Sequence, residues 1–190
     1  MIYIVFFISI TVHEIGHLIT SKIFNVRIGK PRLGIFGYSI KELRPVKFAK
    51  PIHKIIVFLS GPIFNLILAI IFYKIEISYK LNFYMFYTNL FLCIINLLPI
   101  LPLDGANILK CLLEEKFGYK ISNEIALLIS KIILILLSLI YCFAIFYLKN
   151  IWIFLGIIYL WILYFKEEKR FELYLKILNK AKLVSLEEKV

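Results

Sequence analysis

The segment Ile2–Phe24 reads IYIVFFISITVHEIGHLITSKIF. Its 23 residues suffice to cross a bilayer core, which takes about 20 residues of helix. Yet its middle carries His13, Glu14 and His17. A charged side chain at the centre of a membrane helix costs about 2.5–3.5 kcal/mol on insertion scales, so such residues face a protein interior or a wet cavity and mark function. Glu14 stands ten residues from Phe24, about 15 Å along a helix, too deep for its carboxylate to reach the interface. A basic leader and a small-residue cleavage site are both missing, so the segment reads as a membrane helix and not as a signal peptide.

The rest of the chain fits that reading. Of 190 residues 62% are apolar and 18% charged, and the mean hydropathy is +0.89. Soluble domains run about 45–50% apolar and about 25% charged. A soluble fold this small cannot hide so much apolar surface. A soluble enzyme, a disordered tail and a collagen-like fibre are therefore excluded. Four further apolar runs follow, Ile55–Tyr73, Leu81–Leu98, Ile125–Leu148 and the short Ile151–Phe165. The expected fold is an all-α polytopic membrane protein with about five transmembrane helices.

The net charge of +11 does not point to nucleic acid as a partner, because the basic residues occupy the gaps between apolar runs. The loop Asn25–Lys54 holds eight of them against one acid, Glu42. Asp104–Glu124 adds three, and the tail after Phe165 seven, whereas the opposite side has only Lys74, Lys80 and Lys149. Lys/Arg excess marks the cytoplasmic side. This predicts a multi-pass protein of the cell membrane with its N-terminus outside and the long loop and C-terminus in the cytoplasm. Within that loop, Leu33–Ile40 is apolar between Gly and Pro breaks. It reads either as a short re-entrant or β-hairpin element or as plain cytoplasmic loop. Beyond a membrane domain over 1–165, residues 166–190 read as a cytoplasmic amphipathic helix, since Phe171, Tyr174, Leu175 and Leu178 share one face. Cys93, Cys111 and Cys142 are scattered in apolar surroundings and are expected as buried free thiols.

His13-Glu14-Ile15-Gly16-His17 is an HExxH pattern. Positions i and i+4 share a helix face, so both imidazoles can reach one metal ion, and the glutamate between them can act as a base on water. The chain has three histidines and two fall here. The structural alternative is a polar trio that hydrogen-bonds neighbouring helices. A catalytic zinc site needs a third protein ligand. The only aspartate, Asp104, follows Pro99 and Pro102 at the inner end of the third run. It reads as that ligand or as the N-cap of the helix that follows; His53 reads as an interfacial residue. Asn65 and Asn96 place amides in apolar runs, either to join helices or to pair with a substrate backbone, whose polar groups need partners in lipid.

These residues resemble the site-2 protease family of intramembrane metalloproteases, most of all its stage IV sporulation branch, which processes a pro-sigma factor. His13–His17 corresponds to the family's HExxH. Gly61, Pro62 and Asn65 correspond to its GPxxN, and Asn96, Pro99, Leu103, Asp104 and Gly105 to its NxxPxxxLDG. The resemblance spans about Ile4 to Leu109. It implies one zinc per chain held by His13, His17 and Asp104, and Glu14 as general base. It further implies cleavage of a membrane-associated protein within or near the bilayer, a tethered regulator as substrate, and inhibitory membrane partners. Many relatives carry an extra membrane helix before HExxH, for which the residues before His13 leave no room, and others carry nucleotide-sensing or PDZ domains, too large for the tail. Ala106 stands where the branch commonly has a second glycine. The rival class is a membrane metal transporter or non-catalytic metal-binding protein, which should line several helices with ligands and show internal repeats.

Overall fold

The computed structural model describes the backbone of residues 1–26, 31–34, 37–40, 50–75, 77–148 and 151–187, and the side chains among these outside 31–40, 144–152 and 181–187. Half of the expected basic loop, 27–30, 35–36 and 41–49, lies outside the described residues. The elements are α1 (Ile2–Ile23), β1 (Pro31–Gly34), β2 (Gly37–Ile40), α2 (Pro51–Lys74), α3 (Tyr79–Asn96), α4 (Asp104–Leu148) and α5 (Ile151–Glu187). β1 and β2 pair antiparallel, with Arg32 opposite Ser39. α2 is the central helix, packed against α1, α3 and α4, while α5 lies along α4.

Among the described residues, three helices are long and apolar enough to cross a membrane: Ile2–Ile23, Pro51–Lys74 and Asp104–Phe143. The third and fifth apolar runs form α3 and the first part of α5, whose apolar reach is shorter. α3 has 18 residues and carries Lys80, Asn82 and Asn89, and α5 meets Lys166 after 15. α5 passes through the junction between the expected membrane domain and tail as one continuous helix. Beyond it Phe171, Tyr174 and Leu175 are half-buried, and Tyr174 sets its ring 5.1 Å from Tyr119 of α4.

Local sequence explains the helix ends. α1 stops where Asn25 adopts φ +52°. Val26 N–H then bonds Ser21 O and Asn25 N–H bonds Lys22 O, the paired closure of a left-handed C-terminal cap. α2 begins with Pro51 in its first turn, where the missing N–H costs nothing. α4 breaks at Gly118, with φ +73° and ψ 169°, a conformation a side chain would strain.

The interior inverts the soluble pattern. The buried stripe of α1 is Val5, Ser9, His13, Gly16, His17 and Ser21, while Tyr3, Ile4, Phe7, Ile15 and Ile19 point outward and exposed. α2 buries Ser60, Gly61, Pro62, Asn65 and Ala69 and exposes Ile63, Leu66, Ile67 and Ile70. Small and polar residues inside, with large aliphatics outside, is how helices pack when lipid and not water surrounds them. None of the three cysteines forms a disulfide; Cys93 and Cys111 are buried as expected and Cys142 is exposed. Tyr141 takes the inward position of that turn, 5% exposed and stacked on Phe154, so Cys142 faces out.

The segment between α3 and α4 is pinned from below. Ile100 is wholly buried against Leu134 and Tyr164, and Leu101 packs on Ala106 and Ala126. Ser130 accepts the Leu101 N–H at 2.9 Å and donates to Ala126 O at 2.6 Å. The chain doubles back so tightly that a Cβ on Gly105 would lie 2.1 Å from Leu97 O. Ser130→Ala leaves the buried Leu101 N–H without its acceptor, which costs about 1–3 kcal/mol. Its expected result is a lower thermal midpoint in detergent micelles than the wild type.

Candidate metal centre

His13 and His17 lie one turn apart on the buried face of α1, 7% and 6% exposed. Their rings stand nearly perpendicular, at 85°, with centroids 4.7 Å apart. Their Nε2 atoms approach to 3.1 Å. The first residue of α4 closes the group: Asp104 Oδ2 lies 3.1 Å from His13 Nε2 and 3.3 Å from His17 Nε2. The two readings of Asp104 converge in part, since its carboxylate lies at the positive end of α4 and Oδ2 is turned to the histidines. His53 lies apart, its ring against Phe24 at 5.0 Å.

Which nitrogen of His17 carries a proton follows from its partner. Nδ1 meets Val57 O at 2.7 Å, and a carbonyl only accepts. Nδ1 therefore holds a hydrogen, and in the neutral imidazole Nε2 presents a lone pair to the cluster. Asp104 Oδ2 presents lone pairs at the same point and has no partner among the described residues besides the two histidine nitrogens; Glu14 Oε2, beside His13 on α1, is buried without a donor. Electron pairs converging at 3.1–3.3 Å repel one another unless a proton or a metal cation lies among them. Ligands of a tetrahedral zinc at about 2.0–2.1 Å lie about 3.3 Å from one another. The three residues thus form a group that could hold a metal, and their spacing and chemistry fit zinc.

α2 supplies the frame. Gly61 faces the rings so closely that a Cβ there would lie 2.4 Å from His17 Nε2 and 2.7 Å from His13 Cε1. One turn before it, Val57 O holds His17; one turn after it, Asn65 Oδ1 meets His13 Nδ1 at 3.0 Å. Gly16 lets α1 and α2 approach, since a Cβ there would lie 3.0 Å from Ser60 O and from the Phe64 ring. Thr20 and Ser60 hydroxyls meet at 2.8 Å in the next turn. On the side of α4, Lys54 of α2 pairs with Glu114 at 3.4 Å.

The expected amide pair separates. Asn65 is wholly buried, its oxygen toward His13 and its Nδ2 donating to Asn89 Oδ1 at 3.3 Å. Its amide is engaged with His13 and Asn89. Asn96 is half-buried at the end of α3, with Nδ2 donating to Leu92 O. Sequence reading passed over three contributors. Asn89 carried the same signal as Asn65 and Asn96, an amide in an apolar run. Gly61 was visible within its motif but not its contact with both rings. Val57 acts through a backbone carbonyl, which no residue type announces.

Comparison with known proteins points the same way. Residues 1–81 and 75–140 match the profile of peptidase family M50. A zinc metalloprotease of Methanocaldococcus jannaschii is 30% identical over 167 residues, 82% of this chain and 48% of that protein. Stage IV sporulation protein FB of Bacillus subtilis is 27% identical over 126 residues, 62% of this chain and 42% of that protein. The chain thus spans about half the length of these curated relatives. Among solved structures, the site-2 protease from Methanocaldococcus jannaschii superposes with a TM-score of 0.69 at 26% identity, over 87% of this chain and 76% of that one.

Proposed function

Because the chain belongs to peptidase family M50, we propose that it is an intramembrane zinc endopeptidase whose metal is held by His13, His17 and Asp104. One observation carries this reading: three buried donor atoms from two helices lie 3.1–3.3 Å from one another, next to a glutamate oxygen with no donor of its own. Zinc held by these three residues would supply Lewis acidity toward water and a peptide carbonyl. Glu14 accepts the proton of the attacking water at Oε2 and returns it to the leaving amine. Val57 and Asn65 orient the two imidazoles, and Gly61, with no Cβ, leaves room for both rings. Asn96 is the remaining candidate for pairing with substrate backbone.

The substrate is a membrane-associated protein. The likeness to a sporulation protein supports a membrane-tethered regulator, of the kind a pro-sigma factor represents. We read α3 and α5 as two further crossings, with the N-terminus outside and the basic loop and α5 tail in the cytoplasm. There β1 and β2 offer strand edges on which an extended substrate could pair.

The test uses purified protein in proteoliposomes with a single-span substrate bearing a fluorescent tag. Cleavage is expected to vanish on treatment with a zinc chelator and to return on adding back zinc. Metal-dependent ion uptake by the vesicles, with the substrate left intact under all conditions, would instead establish the transporter reading.

A further inference from the structure

The lone pair of His13 is less directly secured than that of His17. Its Nδ1 faces not a backbone carbonyl but the amide of Asn65, whose oxygen and nitrogen ends are nearly the same shape. Turned one way, that amide accepts from Nδ1–H and leaves Nε2 free to bind a metal. Turned the other way, it donates to Nδ1, places the proton on Nε2 and removes His13 as a ligand. Something must choose between them.

We infer that Asn89 makes this choice and is the positioning residue that fixes His13 in its metal-binding tautomer, a role resting on the proposal that His13 is a ligand. Asn89 is wholly buried, and its Nδ2 donates to Met85 O at 2.8 Å. That carbonyl accepts only, and being part of the α3 backbone it cannot turn. It orients Asn89, whose oxygen then faces Asn65 and accepts from Asn65 Nδ2 at 3.3 Å. Asn65 in turn must present its oxygen to His13, at 3.0 Å. One polarity runs from a fixed carbonyl on α3, through α2, to the imidazole on α1. With Asn65 and Asn89 both 0% exposed, no bulk water reaches in to substitute for either partner. A buried polar chain of this kind is worth its energy only when every member is satisfied.

Asn89→Ser is the informative variant. Serines in these helices return their hydroxyl to the carbonyl four residues back, as Ser9, Ser130 and Ser138 do. A serine at 89 keeps a bond to Met85 O and loses the reach to Asn65. Asn89→Asp, which full burial keeps as the neutral acid, donates its O–H to Met85 O and keeps an oxygen facing Asn65 Nδ2, and so preserves the orientation of that amide. The readouts are Co²⁺ affinity by competition with a chromophoric chelator and the visible spectrum of the Co²⁺ protein. Nitrogen-15 resonances of the imidazoles in the metal-free protein give the tautomer directly.

Loss of outer contacts to a ligating histidine weakens metal binding by about 10–100-fold. Asn89→Ser is expected to lose about tenfold in affinity, with a mixed His13 tautomer and an altered Co²⁺ spectrum. Asn89→Asp is expected to retain wild-type affinity and a single tautomer. Wild-type affinity and tautomer in Asn89→Ser would overturn the inference. So would equal loss in both variants, which would mark packing and not polarity as the role of Asn89. A wild-type chain that binds no Co²⁺ would remove the metal site itself, and the inference with it.

Discussion

A Glu14→Gln variant is expected to keep its metal and lose cleavage by about 10²–10⁴-fold, the range that a positioned general base contributes. The substitution is close to isosteric and leaves all three candidate ligands in place. What it removes is a carboxylate oxygen that is buried and has no hydrogen-bond donor among the described residues, a group held ready for a proton from elsewhere. A glutamine amide cannot take that proton. Metal content by mass spectrometry should match the wild type, which separates this variant from those that empty the site. Undiminished cleavage by metal-loaded Glu14→Gln would remove Glu14 from the mechanism.

Gly61→Ala is expected to be nearly as damaging by a different route. Its methyl group would lie 2.4 Å from His17 Nε2, 2.6 Å from His17 Cε1 and 2.7 Å from His13 Cε1. The rings have little freedom to withdraw. His17 is tethered to Val57 and His13 to Asn65, both on the same helix as the new methyl, so moving away from one contact strains the other. Metal affinity should fall by at least the 10–100-fold that lesser disturbances around a ligand cost, with cleavage falling alongside. Gly156→Ala is the control. A Cβ there meets nothing within 4 Å, and exchanging a helical glycine for alanine favours the helix by about 1 kcal/mol. Unchanged metal binding in Gly61→Ala would mean that α1 and α2 are looser than their packing indicates.

The pairing of His13 with His17 was legible because it is a local property: four residues of helix put both rings on one face whatever surrounds them. Asp104 was legible through scarcity, being the only aspartate, although the sequence left its cap and ligand readings side by side. The membrane-spanning character of α1, α2 and α4 followed from hydropathy alone. The number of crossings did not, because α3 and α5 reach their apolar limits near 18 and 15 residues, where length no longer discriminates. Asn65 was read either as a helix-joining amide or as a partner for substrate backbone, and its amide is engaged with His13 and Asn89. An intramembrane amide signals that some polar partner exists without saying which one.

The sequence by itself determined the solvent of this protein, the helix that carries the HExxH pattern and the residue types able to hold a metal, since each of these depends on composition or on spacing within one turn. Only the tertiary structure decided how the group is held. The Val57 carbonyl, the bare face of Gly61 and the Asn65–Asn89 relay act on His13 and His17 from 40 or more positions away in the chain. Contacts made by a backbone oxygen, or by the absence of a side chain, exist only once α1, α2 and α3 are packed together.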